Sequence, residues 1–138
     1  MSFNRSRAPQ AFTLVEIMIV VAIIALLAAI AVPNFMRARK RSQATRILND
    51  VRLLDNAVNQ YAMDHNTPDG TFLYWSDLKN YIKTGTQLYT SEGYDILGGM
   101  YNIQDDAVFP LGHTVRVDPN TFNALSDVAP AEFWSPYY

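Results

Sequence analysis

The sequence predicts an α+β protein in which a long N-terminal helix, apolar in its first half and amphipathic in its second, packs on a small antiparallel sheet. Three observations lead to this prediction. Residues 12–36 contain one ionisable side chain, Glu16. Residues 42–64 repeat apolar side chains every three to four positions, which is typical of a helix with one buried face. Beyond residue 70, turn-forming residues separate short alternations of apolar and polar residues, which indicate strands.

Residues 12–32 are long and apolar enough to cross a membrane. As a helix, these 21 residues rise about 31 Å, close to the roughly 30 Å hydrocarbon core of a bilayer. A buried core helix of a soluble protein is the alternative, but such helices are usually shorter and less uniformly apolar. We therefore predict a transmembrane helix over residues 12–36.

Glu16 is the one charge in this segment. An ionised carboxylate costs about 2.5–3.5 kcal/mol at the centre of a bilayer and less near the interface. No basic side chain lies within two helical turns of Glu16 in the sequence. A cut after Ala11 would create a cation at the α-amino group of Phe12, four residues before Glu16. We therefore expect Glu16 to pair with this amine, within one chain or between neighbouring copies.

The residues around Glu16 resemble the N-terminal signal of type IV pilins and type II secretion pseudopilins. The resemblance is carried by Arg5 and Arg7 in a short leader, Ala11, the residues Phe-Thr-Leu-Val-Glu at 12–16, and Pro33. It extends to about residue 61 and makes the predicted fold pilin-like. Alanine stands at position 11, where the family usually has glycine, so we expect slower cleavage.

The resemblance implies a maturation pathway and a location. Residues 1–11 would be a leader that a prepilin peptidase removes after Ala11, and the new Phe12 amine would be methylated. Glu16 would set the register of subunit addition, and Pro33 would kink the helix. The implied partners are other copies of the chain in a helical filament, an assembly platform and minor pilins. The chain would cross the inner membrane once, with its N-terminus in the cytoplasm, before it enters a periplasmic or cell-surface filament.

Two features of the C-terminal half favour a major pseudopilin of type II secretion. The chain has no cysteine pair near its C-terminus, and residues 95–101 partly resemble the loop that opens the pseudopilin sheet. Without the resemblance, Gly98 and Gly99 simply predict a two-residue hairpin turn. A type IV pilus subunit for adhesion or motility is the close alternative. A signal-anchored membrane protein with a soluble binding domain is the second alternative.

Charge is distributed unevenly beyond the apolar segment. Residues 37–52 contain six basic side chains and one acidic side chain, whereas residues 53–138 contain three basic and eleven acidic ones. A basic cluster beside a membrane predicts contact with inner-membrane lipid headgroups. Binding of DNA is the alternative, and the acidic remainder disfavours nucleic acid as a partner. The same cluster would place the C-terminal side in the cytoplasm, opposite to the orientation that the resemblance implies.

Residues 37–138 are predicted to form a soluble domain. Residues 37–64 would form its helical spine, continuous with the apolar helix over about 80 Å, and would end in the turn-rich residues 65–70. A short helix over residues 76–83 would have Ser76 as its N-cap. Residues 87–138 would form the sheet and a C-terminal loop, with strands at 100–104 and 113–117. The stripe is too short for a coiled coil, so we expect the spine to pack on the sheet.

Catalysis is not expected of this chain. It contains no cysteine and no nucleophile, phosphate-loop, zinc-protease or dinucleotide motif. His65 is interpreted as a residue of the helix C-terminus and not as a catalytic base. We expect no cofactor, although the resemblance implies that the C-terminal loop binds calcium, for which Asp118, Asp127 and Glu132 offer hard oxygen ligands.

Overall fold

The computed structural model describes residues 11–101, 109–112 and 114–138, with the backbone alone at 109 and 110. The chain divides between Met36 and Arg37 into two compact units. A single helix, α1 (Leu14–His65, 52 residues), supplies residues to both units. The predicted continuous helix is therefore confirmed, and it begins two residues later than expected.

The first unit exposes an apolar helical surface. None of the most apolar 18-residue window of α1 is buried, and the helix is long and apolar enough to cross a membrane. Pro33 lies inside α1. Because proline has no N–H, it cannot donate to the carbonyl of Ala29, yet the helix continues to His65. An apolar surface of this extent needs lipid or other apolar helices around it.

The second half of α1 is the spine of the second unit. Its buried residues follow the predicted spacing of three and four positions and comprise Ala44, Ile47, Leu48, Val51, Leu54, Ala57 and Val58. They share one hydrophobic core with Leu73, Tyr101 and Trp134, among others. The amphipathic pattern is therefore confirmed.

The spine ends where the turn-rich cluster predicts. Asn66 adopts a left-handed conformation with φ 47°, and the amide of Thr67 donates to the carbonyl of Ala62 at 3.2 Å. This pattern is a Schellman motif, which satisfies a carbonyl left free by the end of the helix. His65 stacks on Tyr61 with 4.1 Å between ring centroids, which supports its interpretation as a residue of the helix end.

Among the described residues, the antiparallel sheet has two short strands. Strands β1 (Phe72–Leu73) and β2 (Phe109–Pro110) pair antiparallel, with Phe72 opposite Pro110 and Leu73 opposite Phe109. Tyr94 and Met100 form an isolated antiparallel bridge. Residues 102–104 of one predicted strand and residue 113 of the other lie outside the described residues.

The predicted strand over residues 113–117 is wrong for its described part, residues 114–117, which have no regular secondary structure. The expected alternation is nevertheless present, because Val115 and Val117 are buried and Thr114 is exposed. The amide of Val117 donates to the carbonyl of Tyr137 at 2.8 Å. The C-terminal tail, and not a neighbouring strand, therefore satisfies this part of the backbone.

The short predicted helix begins earlier than expected. Helix α2 (Trp75–Leu78) leads into a single 3-10 turn, Lys79–Tyr81. Ser76 lies inside α2, so its prediction as the N-cap is wrong; Tyr74 precedes the helix, and its amide donates to the Asp77 carboxylate at 2.9 Å. Leu78 and Ile82 are buried, as their spacing predicts.

The described part of residues 87–138 is not only sheet and loop, as predicted, but also contains three short helices. These are α3 (Gln87–Ser91), α4 (Pro119–Leu125) and α5 (Ala131–Trp134). The Thr86 hydroxyl caps α3 by accepting from the amide of Tyr89 at 3.3 Å. The Asp118 carboxylate caps α4 by accepting from the amide of Asn120 at 2.7 Å. Helices of one or two turns are too short to show an apolar period, and the cap residues Thr86 and Asp118 are the local sequence signals of α3 and α4.

Leu53 and Leu54 provide a matched test of the spine. Leu54 is fully buried and Leu53 is 51% exposed. Leu54→Ala should lower the free energy of unfolding by about 2–5 kcal/mol because it leaves a cavity in the core. Leu53→Ala should change it by no more than about 0.5 kcal/mol. Urea unfolding of the full chain in detergent measures both values, and equal losses would contradict the assigned orientation of the spine.

Candidate functional site

Thr13 and Glu16 form a reciprocal cap at the start of α1. The Thr13 hydroxyl accepts from the amide of Glu16 at 3.2 Å. The amide and the hydroxyl of Thr13 both donate to Oε2 of Glu16, each at 2.9 Å. The carbonyl of Thr13 accepts the first helical hydrogen bond, from Ile17 at 3.3 Å. This arrangement is a capping box, in which the N-cap and the third helical residue satisfy each other's amides.

The capping box holds one oxygen of the Glu16 carboxylate and leaves acceptor capacity on the other. Both described donors from Thr13 reach Oε2, and none of the hydrogen bonds among the described residues ends on Oε1. The negative charge also lies at the positive end of the helix dipole, which favours it. The carboxylate is thus fixed in position by its own chain while it remains able to accept a cation.

The predicted site residues lie at two places along the chain. Ala11 and Phe12 precede the helix and are exposed, directly before the capping box. Pro33 lies 17 positions after Glu16 on the same helix, a rise of about 25 Å, so the structure does not bring it near the carboxylate. Thr13 is absent from the site predicted from the sequence. The spacing Thr-x-x-Glu before an apolar run is the signal that identifies it.

The carboxylates considered for calcium have separate structural roles. Asp118 caps α4, and Asp127 forms an ion pair with Lys40 at 3.0 Å. Glu132 lies in the first turn of α5. Within the described ranges, no group of three or more histidine, cysteine, aspartate or glutamate residues is placed to hold a metal ion. Calcium binding stays a prediction without support from these three residues.

Residues 95–101 form a turn that Asp95 organises. The carbonyl of Asp95 accepts from the amide of Gly98 at 3.1 Å, so Ile96 and Leu97 are the central residues. The Asp95 carboxylate accepts from the amides of Leu97 at 2.7 Å and Gly99 at 3.0 Å. Gly98 follows with φ +88°, a conformation that favours glycine. The prediction that Gly98 and Gly99 are the central residues of a two-residue hairpin turn is therefore wrong.

A buried hydrogen bond joins the turn at residues 95–101 to α4. The Thr121 hydroxyl donates to Oδ2 of Asp95 at 2.6 Å, and both residues are buried. A Cβ added to Gly99 would meet Oγ1 of Thr121 and, at 2.8 Å, Cβ of Asp118. Glycine is therefore required at position 99 by the close approach of α4.

Tyr101 links this turn to the spine. Its side chain is fully buried, and its hydroxyl donates to Oδ2 of Asp50 at 3.5 Å. Partial burial raises the pKa of the Asp50 carboxyl, although the nearby positive charge of Arg46 and the hydrogen bond from Tyr101 oppose the change. Burial also raises the pKa of Tyr101, so its hydroxyl remains a donor at neutral pH.

Comparison with known proteins finds a family match near the N-terminus and relatives that are similar over part of the chain. Residues 6–32 match the family model for the prokaryotic N-terminal methylation motif. The chain is 39% identical over 67 residues to the type IV major fimbrial protein FimA of Dichelobacter nodosus, which covers 49% of this chain and 42% of that protein. It is 34% identical over 62 residues to the type II secretion system core protein G of Aeromonas hydrophila, which covers 45% and 43%. A fimbrial protein of Pseudomonas aeruginosa is 43% identical over 58 residues, which covers 42% and 38%.

The chain thus spans less than half the length of these curated relatives. No solved structure matches it. The relatives include both fimbrial and secretion-system proteins. The family model, which matches residues 6–32, includes the capping box.

The raised pKa of Asp50 predicts a pH-dependent stability difference. Because the folded protein holds this proton more tightly than the unfolded chain, the stability that Asp50 contributes is present below its ordinary pKa of 3.8 and is lost as the pH rises through the raised value. Asp50→Asn removes the titration. The free energy of unfolding of this variant, relative to that of the wild type, should therefore increase from acidic to neutral pH.

Asp55→Asn on the same helix is the control for the loss of one negative charge. Urea unfolding of the full chain in detergent at a series of pH values measures all three proteins. A difference between Asp50→Asn and the wild type that stays constant, or that decreases with rising pH, would contradict the partial burial of this carboxylate.

Proposed function

We propose that this chain, which is similar over about half of its length to type IV fimbrial and type II secretion core proteins, is a structural subunit of a filament assembled from the inner membrane. The observation that supports this proposal most directly is the Thr13–Glu16 capping box at the start of an exposed apolar helix. It holds one carboxylate that can still accept a hydrogen bond at Oε1. No other residue of the helix up to residue 36 is charged.

Maturation supplies the cation that the sequence lacks. In the proposed pathway, a prepilin peptidase cuts after Ala11, and the α-amino group of Phe12 is then methylated. A methylated amine keeps its positive charge. The new terminus lies directly before Thr13, so that its ammonium group and the capped carboxylate occupy the same end of α1.

Pairing between copies selects the register of assembly. The bonds from Thr13 lower the cost of carrying the Glu16 charge in the membrane but do not remove it. In the filament, Oε1 of Glu16 accepts from the Phe12 ammonium of a neighbouring copy, in surroundings where opposite charges attract strongly. Only one axial offset between neighbouring helices brings these two groups together.

The apolar residues of α1 make assembly possible without setting its register. Lipid chains are as apolar as leucine or isoleucine side chains, so transfer of the helix from lipid to a filament core gains little hydrophobic free energy. The pairing of Glu16 with the Phe12 ammonium of a neighbouring copy therefore distinguishes the correct register from shifted registers. In this proposal, energy from ATP is used by separate motor proteins, and the assembly platform and minor pilins guide the subunit.

The proposed filament is a pseudopilus of type II secretion. The partial resemblance at residues 95–101 supports it. A type IV pilus subunit for adhesion or motility is the second candidate, supported by the similarity to the fimbrial proteins of Dichelobacter nodosus and Pseudomonas aeruginosa. In either filament, the subunit moves from the inner membrane to the periplasm or the cell surface.

Substitutions at Glu16 and Thr13 test the proposed mechanism. Glu16→Ala removes the carboxylate and should abolish filaments or misplace subunits within them, while cleavage of the leader continues. Thr13→Val keeps the shape of the side chain but removes the hydroxyl, and should reduce assembly because Glu16 loses two of its three bonds to Thr13. Thr13→Ser keeps a hydroxyl at the same position and should restore assembly.

Sheared filaments and the remaining membrane fraction, both probed by immunoblot, measure assembly and cleavage in the same cells. Filaments of normal yield from Glu16→Ala would exclude the pairing mechanism. Equal defects in Thr13→Val and Thr13→Ser would show that the hydroxyl is not what positions the carboxylate.

A further inference from the structure

The apolar segment is followed by four closely spaced basic residues, which we name the basic collar: Arg37, Arg39, Lys40 and Arg41. On a helix that turns by about 100° per residue, Arg37 and Arg41 lie on one face, about 40° apart, and Arg39 lies on the opposite side of the axis. The next acidic residue along the chain is Asp50. The arginines of the collar are thus placed on two opposite sides of the helix and not along one stripe.

Lys40 and the three arginines of the collar have different surroundings. Lys40 points towards the domain and pairs with both carboxylate oxygens of Asp127, at 3.0 and 3.1 Å. Arg37, Arg39 and Arg41 are exposed. Among the described residues, Asp127 is the only carboxylate that forms an ion pair with a residue of the collar. Its charge is neutralised by Lys40. The three arginines therefore present their charge to the surroundings.

The arrangement around the helix indicates which surroundings these are. A protein groove or a DNA duplex approaches from one side and would be matched by charges along one face. A layer of lipid headgroups surrounds a membrane-spanning helix, and so matches charges on opposite sides of the helix. The collar begins five residues after Val32 on α1, a rise of about 7.5 Å, which is comparable to the depth of the headgroup region on one side of a bilayer.

We propose that the collar binds the phosphate groups of anionic phospholipids in the leaflet on the C-terminal side of the span. The planar guanidinium group of arginine matches two phosphate oxygens, and its long stem can extend along the helix towards the headgroups. The collar thereby opposes the repulsion between an anionic membrane surface and residues 53–138, which carry eleven acidic and three basic side chains. This inference needs the helix to be inserted in a membrane, but it does not depend on assembly of a filament.

Lipid enrichment around the full chain tests the proposal. The protein is reconstituted into vesicles of equal parts phosphatidylglycerol and phosphatidylcholine, and insertion is checked by flotation. The membrane is then divided with a styrene–maleic acid polymer, and the lipids of particles with and without protein are quantified. The wild type should raise the ratio of phosphatidylglycerol to phosphatidylcholine above that of protein-free particles, and high salt should weaken the enrichment.

Two variants with the same change in net charge locate the effect. Arg37→Gln, Arg39→Gln and Arg41→Gln combined should return the ratio to that of protein-free particles. Arg46→Gln, Arg52→Gln and Lys83→Gln combined, at exposed positions further along the chain, should leave the enrichment unchanged. Absence of enrichment in the wild type, its persistence in the collar variant, or an equal loss in both variants would overturn the proposal. Binding of a short duplex DNA that is lost only in the collar variant, without lipid enrichment, would assign the collar to nucleic acid and overturn it as well.

Discussion

The proposed assembly depends on one carboxylate held at the start of an otherwise apolar segment. Thr13 satisfies one oxygen of Glu16 and fixes its position, while the other oxygen stays able to accept a donor. A carboxylate with both oxygens hydrogen-bonded would gain little free energy from a further donor. A carboxylate without hydrogen bonds would be costly in lipid. The intermediate state is suited to a subunit that first resides in a membrane and later joins other copies of itself.

The second unit builds its core on the distal half of the same helix. The buried face of α1 and the fully buried side chains of Tyr101 and Trp134 belong to one core, although regular sheet among the described residues is limited to two strands of two residues each. Hydrogen bonds made by side chains and by the loop backbone take the place of longer strands. Asp95 organises a turn and binds Thr121 of α4, and Tyr137 accepts from the amide of Val117. The domain therefore depends on specific polar contacts at its loops as well as on its apolar core.

The sequence predicted those features that have a long or repeated signal. The apolar segment, the amphipathic spine and the stop at Asn66 follow from composition, period and turn residues, and the structure confirms them. Short elements were predicted less well, because α3, α4 and α5 have seven residues or fewer and show no period. Val115 and Val117 alternate like a strand, yet the partner of Val117 is the C-terminal tail, which no local pattern indicates. The capping box of Thr13 and Glu16 was detectable from spacing alone, whereas the link between Asp50 and Tyr101 joins residues 51 positions apart.

The intact mass of the protein, isolated from its native membrane or from shed filaments, tests the central claim most directly. The account predicts a chain that starts at Phe12 and carries one additional methyl group, because the Phe12 amine is the proposed partner of Glu16. A chain that still starts at Met1 or Ser2 would contradict it. The pairing partner would then never form, and a signal-anchored protein with a soluble binding domain would be the better description.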